Sequence, residues 1–197
     1  MHLFLQGMPR VGKSTLVRGA LAPLASTVAG FATQRLTANG GFIGYRAVVV
    51  NGTTGQVLPS VEAAYSDGTS DGVFILEGKG DISVLAQKIS EAERVIQNPS
   101  VKLVLLDEIG GIELTSKVFM EPLLRILCGA KPCIGTFKST DNLTHTVRTL
   151  KIDAEYHLLH QRLEQILRQN GNLLTVTEKN RQEISERIRS WITSGKL

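Results

Sequence analysis

Gly7-Met8-Pro9-Arg10-Val11-Gly12-Lys13-Ser14-Thr15 is a complete Walker A pattern, a glycine-bounded loop closed by Lys-Ser. Before it stands Leu3-Phe4-Leu5-Gln6, a short stretch of strand length, and after it Thr15-Leu16-Val17-Arg18-Gly19-Ala20-Leu21 opens a helical pattern. Strand, loop and helix in that order are what the chemistry of the motif requires. The glycines let backbone N–H groups converge on phosphate oxygens, and the helix N-terminus adds positive potential. Gly7 to Thr15 are therefore the expected nucleotide-binding residues. Lys13 is placed to reach the β- and γ-phosphates, and the Ser14 hydroxyl to take a position on Mg²⁺. The chain is expected to hold a nucleotide.

A second pattern lies far downstream. Leu103-Val104-Leu105-Leu106-Asp107-Glu108 reads as an apolar strand ending in two carboxylates, the Walker B pattern. Asp107 is expected beside the metal, through a metal-bound water, and Glu108 beside the water that attacks the γ-phosphate. Thr136 ends the next strand, Cys133-Ile134-Gly135-Thr136, where many such proteins place a sensor of the γ-phosphate; a threonine finishing a β-strand reads the same way. Asp107-Glu108-Ile109-Gly110 also satisfies the D-x-x-G pattern of GTPases. The guanine-reading run that should accompany it is missing, since Thr136-Phe137-Lys138-Ser139-Thr140-Asp141 has the wrong spacing. A guanine-specific switch is disfavoured.

Between and beyond these motifs, Val28 to Leu36 and Phe42 to Val50 read as extended segments around Asn39-Gly40-Gly41, a hairpin signal. Asn51 to Gly55 is a turn and Asp67 to Gly72 a loop. Ile82, Leu85, Ile89, Ala92 and Ile96 recur at helical spacing up to Asn98-Pro99. Thr115 to Cys128 is helical, with Pro122 expected to kink or split it. Leu173 to Val176 reads as a strand, and Thr177 as the cap of a last helix with Ile184, Ile188, Trp191 and Ile192 inward. Strands apolar on both faces suit a central parallel sheet covered on each side. The expected architecture is a three-layer α/β domain, mainly parallel, with an antiparallel addition. It is expected to occupy residues 1–197 as one domain, since no repeat, linker or low-complexity stretch divides the chain.

Composition narrows the partners. The chain has 197 residues, 42% hydrophobic and 20% charged, with a net charge of +4. Its lysines and arginines are scattered and aromatics make up only 5%, which argues against nucleic acid as the main ligand. The longest apolar runs are far too short to span a membrane, and no signal peptide is expected before the first strand. Cys128 and Cys133 have no second pair and read as free thiols of a reducing, cytoplasmic compartment. His157 and His160 are three apart without a third ligand at metal spacing, and His2 and His145 are isolated. The expected partner is a nucleoside triphosphate; a protein partner and the oligomeric state stay open.

Taken together, the chain resembles the small P-loop nucleoside-triphosphatases that include thermophilic archaeal and bacterial enzymes and the human cancer-related nucleoside-triphosphatase. The resemblance rests on Gly7 to Thr15, Gly30-Phe31-Ala32-Thr33, Asp107-Glu108-Ile109-Gly110-Gly111-Ile112-Glu113-Leu114, Cys133 to Thr136, and Val176-Thr177-Glu178-Lys179-Asn180-Arg181. It implies a RecA/kinase-like α/β fold and Mg²⁺-dependent hydrolysis of nucleoside triphosphates with low base selectivity. The chain departs from the family at Arg10, where a glycine is usual, and at Gly111-Ile112 in place of Lys-Met. Leu76 to Asp81 has no match to the family's glycine-aromatic run. On the residues alone, two alternatives accompany hydrolysis: a nucleotide or small-metabolite kinase, and a non-catalytic nucleotide-responsive module. Arg10, Arg35, Arg148, Arg162 and Arg181 are candidates to neutralise the γ-phosphate, and their spacing selects none.

Overall fold

The strand before the phosphate loop buries side chains on both faces, and this places it in the middle of a covered sheet. In the computed structural model, which describes residues 1–66, 70–140 and 154–194, this strand is β1 (His2–Gln6). The other strands are β2 (Val28–Ala38), β3 (Gly41–Asn51), β4 (Glu62–Ala64), β5 (Val73–Leu76), β6 (Lys79–Gly80), β7 (Leu103–Ile109), β8 (Cys133–Phe137) and β9 (Gly171–Thr175). They form one nine-stranded sheet in the order β6-β5-β3-β2-β7-β8-β1-β9, with β4 alongside β2. From β2 to β9 neighbouring strands are parallel, and β3, β5 and β6 add an antiparallel flank.

Two helical layers cover the sheet. On one face, α1 (Lys13–Leu21) and α5 (Arg181–Thr193) bury Val17, Leu21, Ile184, Ile188 and Trp191 against Leu3, Leu5, Leu103 and Leu105. On the other, α2 (Ile82–Ile96), α3 (Lys117–Leu127) and α4 (Ala154–Asn170) cover Phe4, Phe31, Val104 and Leu106. Successive residues of β1 and β7 thus enter opposite cores, which explains their unbroken apolar sequence. The three layers and the antiparallel addition are those expected from the sequence.

Several local expectations are revised. β7 continues past Leu106 through both carboxylates to Ile109, because its pairing with β2 reaches Ala32↔Asp107. α3 is not split at Pro122. The proline removes the N–H that would meet the Val118 carbonyl one turn earlier, and Val118 is 65% exposed, so water can satisfy that oxygen. Thr177 caps a turn that precedes α5 rather than the helix itself. Its hydroxyl accepts from the Asn180 N–H, and the helix N-cap is Asn180. The loop from Asp67 to Gly72 is described only from residue 70 onward; His145, Arg148 and Asp141 lie outside the described residues. Cys128 and Cys133 are free thiols, the latter buried and its pKa pushed up to about 12 by desolvation.

Gly30 brings β2 against β7. It has φ +151°, and a Cβ there would stand 2.0 Å from the Leu105 carbonyl oxygen. β2 then runs beyond its pairing with β7, and its next partner on that side is β4, with Arg35 opposite Glu62. The hairpin of β2 and β3 therefore projects past the carboxyl ends of the parallel strands. That end of an α/β sheet is where ligands bind.

Candidate active site

The loop from Gly7 to Gly12 leaves the carboxyl end of β1 and enters α1. Gly7 has φ +139° and Gly12 φ +92°, both in the half of backbone space that glycine tolerates. Both approaches are also close. A Cβ on Gly7 would meet the Val176 carbonyl at 2.4 Å, and one on Gly12 the Arg181 guanidinium at 2.9 Å. Arg10 shares this left-handed conformation with φ +62°, although it carries a Cβ. Met8, Pro9, Arg10 and Thr15 are exposed, Val11 is buried, and Lys13 is buried with its ammonium donating to the carbonyls of Gly7 and Met8, each at 2.9 Å. Burial lowers the Lys13 pKa, and the charges of Glu108 and Asp107 draw it back up.

β8 lies between β1 and β7, yet Asp107 reaches α1 across it. Its Oδ1 accepts from Ser14 Oγ at 2.9 Å and from Thr136 Oγ1 at 2.5 Å. Its Oδ2 accepts from Arg18 Nε at 3.2 Å and Nη2 at 2.8 Å. Asp107 is 1% exposed, Thr136 1% and Arg18 7%. The remaining Arg18 donors go to the carbonyls of Pro59, Ser60 and Thr33. All five guanidinium N–H groups are thereby used. Thr136 directs its proton to the carboxylate, so in this arrangement it holds Asp107 in place.

Glu108 is joined to Asp107 by a cis peptide, where the register of β7 against β8 shifts between Leu106 and Ile109. Desolvation pushes its carboxyl above the ordinary glutamate range; Lys138 and Lys13 oppose this and Asp107 adds to it. Glu113 is buried close by, turned back to accept the Gly111 N–H at 2.6 Å. Burial raises its pKa also, and the Glu108 charge adds to the shift. A side chain at position 111 would collide with that carboxylate, its Cβ 2.6 Å from Oε2, which accounts for a glycine there. Tyr45, from β3, completes this side. Its pKa is raised first by desolvation and then by the Glu108 charge, while Arg35 and Arg10 lower it.

The donors around Ser14 and Asp107 are hard oxygens, as Mg²⁺ prefers. Among the described residues no cluster of three or more His, Cys, Asp or Glu could hold a metal. Mg²⁺ does not need one, since it keeps several waters and takes the rest of its shell from phosphate. The Ser14 oxygen retains lone pairs after donating its proton to Asp107, whereas both Asp107 oxygens already carry two donors each. The set fits direct contact through Ser14, and Asp107 would take a metal-bound water in exchange for one of these donors.

The sequence-selected arginines separate clearly. Arg35 pairs with Glu62 at 2.7 Å and lies 4.7 Å over the Phe42 ring. Arg162 is exposed on α4. Arg181 lies against Gly12. Arg18, the arginine that holds Asp107, was not among them. The available signal was its place four residues after Ser14 on one helix, which puts both on the same face. His160 is buried, stacked on Phe137 with ring centroids 4.5 Å apart, and its Nε2 is 2.7 Å from the Lys138 carbonyl. It is a packing residue.

The chain is similar to known proteins over most of its length. The family model described as NTPase matches residues 2–189. The nucleoside-triphosphatase THEP1 of Methanocaldococcus jannaschii is 25% identical over 198 residues, covering 99% of each chain. The human cancer-related nucleoside-triphosphatase is 30% identical over 132 residues, 64% of this chain and 68% of its own. Among solved structures, THEP1 from Aquifex aeolicus superimposes with a TM-score of 0.60 at 22% identity, covering 98% of this chain and 99% of that one.

Proposed function

This chain belongs to the NTPase family, and from that premise we propose that it hydrolyses nucleoside triphosphates to the diphosphate and phosphate with Mg²⁺, at the crevice between the Gly7–Ser14 loop and Asp107–Glu108. The observation that carries the reading is the contact of Ser14 with Asp107, 93 positions apart in sequence and 2.9 Å apart in space. It joins the phosphate loop to the carboxylate strand at one point, with Glu108 adjacent.

In this reading the loop amides and Lys13 bind the β- and γ-phosphates. Ser14 holds the metal directly and Asp107 through water; when bound, Mg²⁺ neutralises charge on the phosphate oxygens. Glu108 orients the attacking water and accepts its proton as the new P–O bond forms and the bond to the β-phosphate oxygen breaks. A carboxyl whose pKa is raised by burial is a stronger base than an ordinary one, which supports this role. Thr136 positions Asp107. Every group gathered here addresses phosphate, metal or water, which supports low base selectivity. One continuous sheet with a core on each face supports a single domain over residues 1–197.

The test is phosphate release from a panel of ribo- and deoxyribonucleoside triphosphates, with and without Mg²⁺, in the parent and in Glu108→Gln. The variant is expected to bind nucleotide as before and to lose at least about a hundredfold in kcat, as loss of a general base entails. Full hydrolysis by Glu108→Gln overturns the assignment.

A further inference from the structure

Val176-Thr177-Glu178-Lys179-Asn180-Arg181, one of the stretches that carry the resemblance, links β9 to α5. Its backbone is fastened to the sheet. The Val176 N–H donates to the Gln6 carbonyl at 2.8 Å, which holds the end of β9 to the end of β1. Asn180 closes the turn: its Oδ1 accepts the Thr177 N–H at 2.8 Å, and its Nδ2 donates to the Thr175 carbonyl at 2.9 Å. Helix α5 starts at the next residue, so Arg181 is delivered to a fixed place beside the phosphate loop. From the position of a Cβ on Gly12, the guanidinium Nη2 is 2.9 Å away, Cζ 3.1 Å and Nε 3.3 Å. Glycine at position 12 leaves the room that the guanidinium takes.

For the fold alone this placement is electrostatically unfavourable. Gly12 is the N-cap of α1 and Arg181 the first residue of α5. One cation therefore stands at the positive ends of two helices, where an anion is stabilising and a cation is not. The Lys13 ammonium, bonded to the Gly7 and Met8 carbonyls, adds further positive charge to the loop. Arg181 is exposed and has no hydrogen-bond or ion-pair partner among the described residues. An anion seated against Gly12 relieves this crowding.

Strand order identifies which part of the nucleotide that anion is. Across the carboxyl ends of the parallel strands the order is β7, β8, β1, β9. In the proposed reaction Glu108, on β7, serves the γ-phosphoryl end. The phosphate loop leaves β1, and Arg181 follows β9 on the far side. A triphosphate laid along the loop with its γ-phosphoryl group toward β7 has its α-phosphate toward β9.

We infer that Arg181 is a nucleotide-binding residue that bonds the α-phosphate, at the end away from the transferred group. This rests on the hydrolytic reading of the crevice, with Glu108 at the γ-phosphate. A planar fork of donors suits the non-bridging phosphate oxygens. The α-phosphate gains no charge as the bond between the β- and γ-phosphates breaks. The contact is therefore as strong in the substrate complex as in the transition state, and it acts on KM rather than on kcat.

Arg181→Ala and Arg181→Lys test this beside Arg187→Ala, a control in which an exposed arginine of the same helix loses its pairing with Glu183. The measurements are calorimetric binding of MgADP, steady-state hydrolysis of MgATP, MgGTP and MgUTP, and thermal melting without nucleotide. Arg181→Ala is expected to weaken MgADP about tenfold, as loss of a charge-assisted hydrogen bond entails. KM should rise by a similar factor for all three triphosphates while kcat stays within about twofold of the parent. Arg181→Lys should recover part of the loss, and Arg187→Ala should bind as the parent does. The melting temperature of Arg181→Ala should lie within about 2 °C of the parent or above it. MgADP affinity within about twofold of the parent in Arg181→Ala overturns the proposal. So does a fall in kcat at unchanged KM, which places Arg181 at the γ-phosphoryl group. A loss confined to purine or to pyrimidine nucleotides also overturns it, placing the guanidinium on the base. Glu108→Gln assayed in parallel keeps the two readings apart. Full hydrolysis there removes the orientation on which this assignment rests, whereas an inactive Glu108→Gln beside parent-like MgADP binding in Arg181→Ala removes the role of Arg181 alone.

Discussion

Arg18 and Asp107 form a buried ion pair, Nη2 to Oδ2 at 2.8 Å. Both are buried, so cutting one side leaves a buried charge without its counter-ion, at a cost of about 3–5 kcal/mol. The exposed pair of Arg35 and Glu62 contributes at most about 1 kcal/mol by comparison. Arg18→Met is therefore expected to lower unfolding free energy by about 3–5 kcal/mol and Arg35→Met by less than about 1 kcal/mol beyond its packing contribution, both read from urea denaturation. Glu108 acts in the opposite sense. Its folded pKa is raised, so the stability it allows is present below the ordinary glutamate range and is lost as pH rises through the folded value. Glu108→Gln should match the parent near about pH 4 and exceed it at about pH 7.5, by the urea midpoint. The loop and the carboxylate pair were legible in the sequence because each motif keeps its chemistry on consecutive residues. Arg18 and Tyr45 were not, since what they do is set by partners on other elements.

At the scale of elements, what could be read depended on whether a segment's own pattern or its neighbour decides its shape. The period of α2 and the turn at Asn39-Gly40 are local and were read correctly. The full length of β7, the continuity of α3 through Pro122 and the displaced start of α5 depend on pairing, solvent access and a turn shared by Thr177 and Asn180. Two glycines test the same point. Gly30→Ala forces a Cβ into the Leu105 carbonyl and should separate β2 from β7, costing at least about 3 kcal/mol, the upper end of over-packing penalties. Gly19, in α1, has nothing within 4 Å of the added atom. Gly19→Ala should stabilise by up to about 1 kcal/mol, since alanine is the better helix former. Thermal unfolding of the two variants should move in opposite directions.

For the whole molecule, two buried histidines bear on acid stability: His2, which the sequence presented as isolated, and His160. His2 is buried; its Nδ1 accepts the Cys133 N–H at 3.0 Å and its Nε2 is 2.8 Å from the Leu127 carbonyl. It fastens β1 to β8 and to the end of α3, and it can do so only while Nδ1 is unprotonated. Burial depresses the pKa of His2, and that of His160 likewise. Each group binds its proton more weakly folded than unfolded, so stability falls as pH drops below the ordinary histidine range. Glu108 and Glu113 act in the opposite sense, so the histidine contribution is read by difference: the margin in urea midpoint between the parent and His2→Gln should shrink as pH falls below about 6.5. No helix among the described residues is long and apolar enough to cross a membrane.

The grip of Arg18 also bears on the order in which the chain folds. Its guanidinium joins Thr33, Pro59, Ser60 and Asp107, and the same carboxylate binds Ser14 and Thr136. Helix α2 and the β2–β3 hairpin can form from neighbouring residues, whereas this cluster exists only after segments spread over most of the chain have met. Its loop-closure entropy must be overcome before any of its bonds form. The cluster is thus a late product of assembly, and a chain that has formed it has already brought the central sheet together.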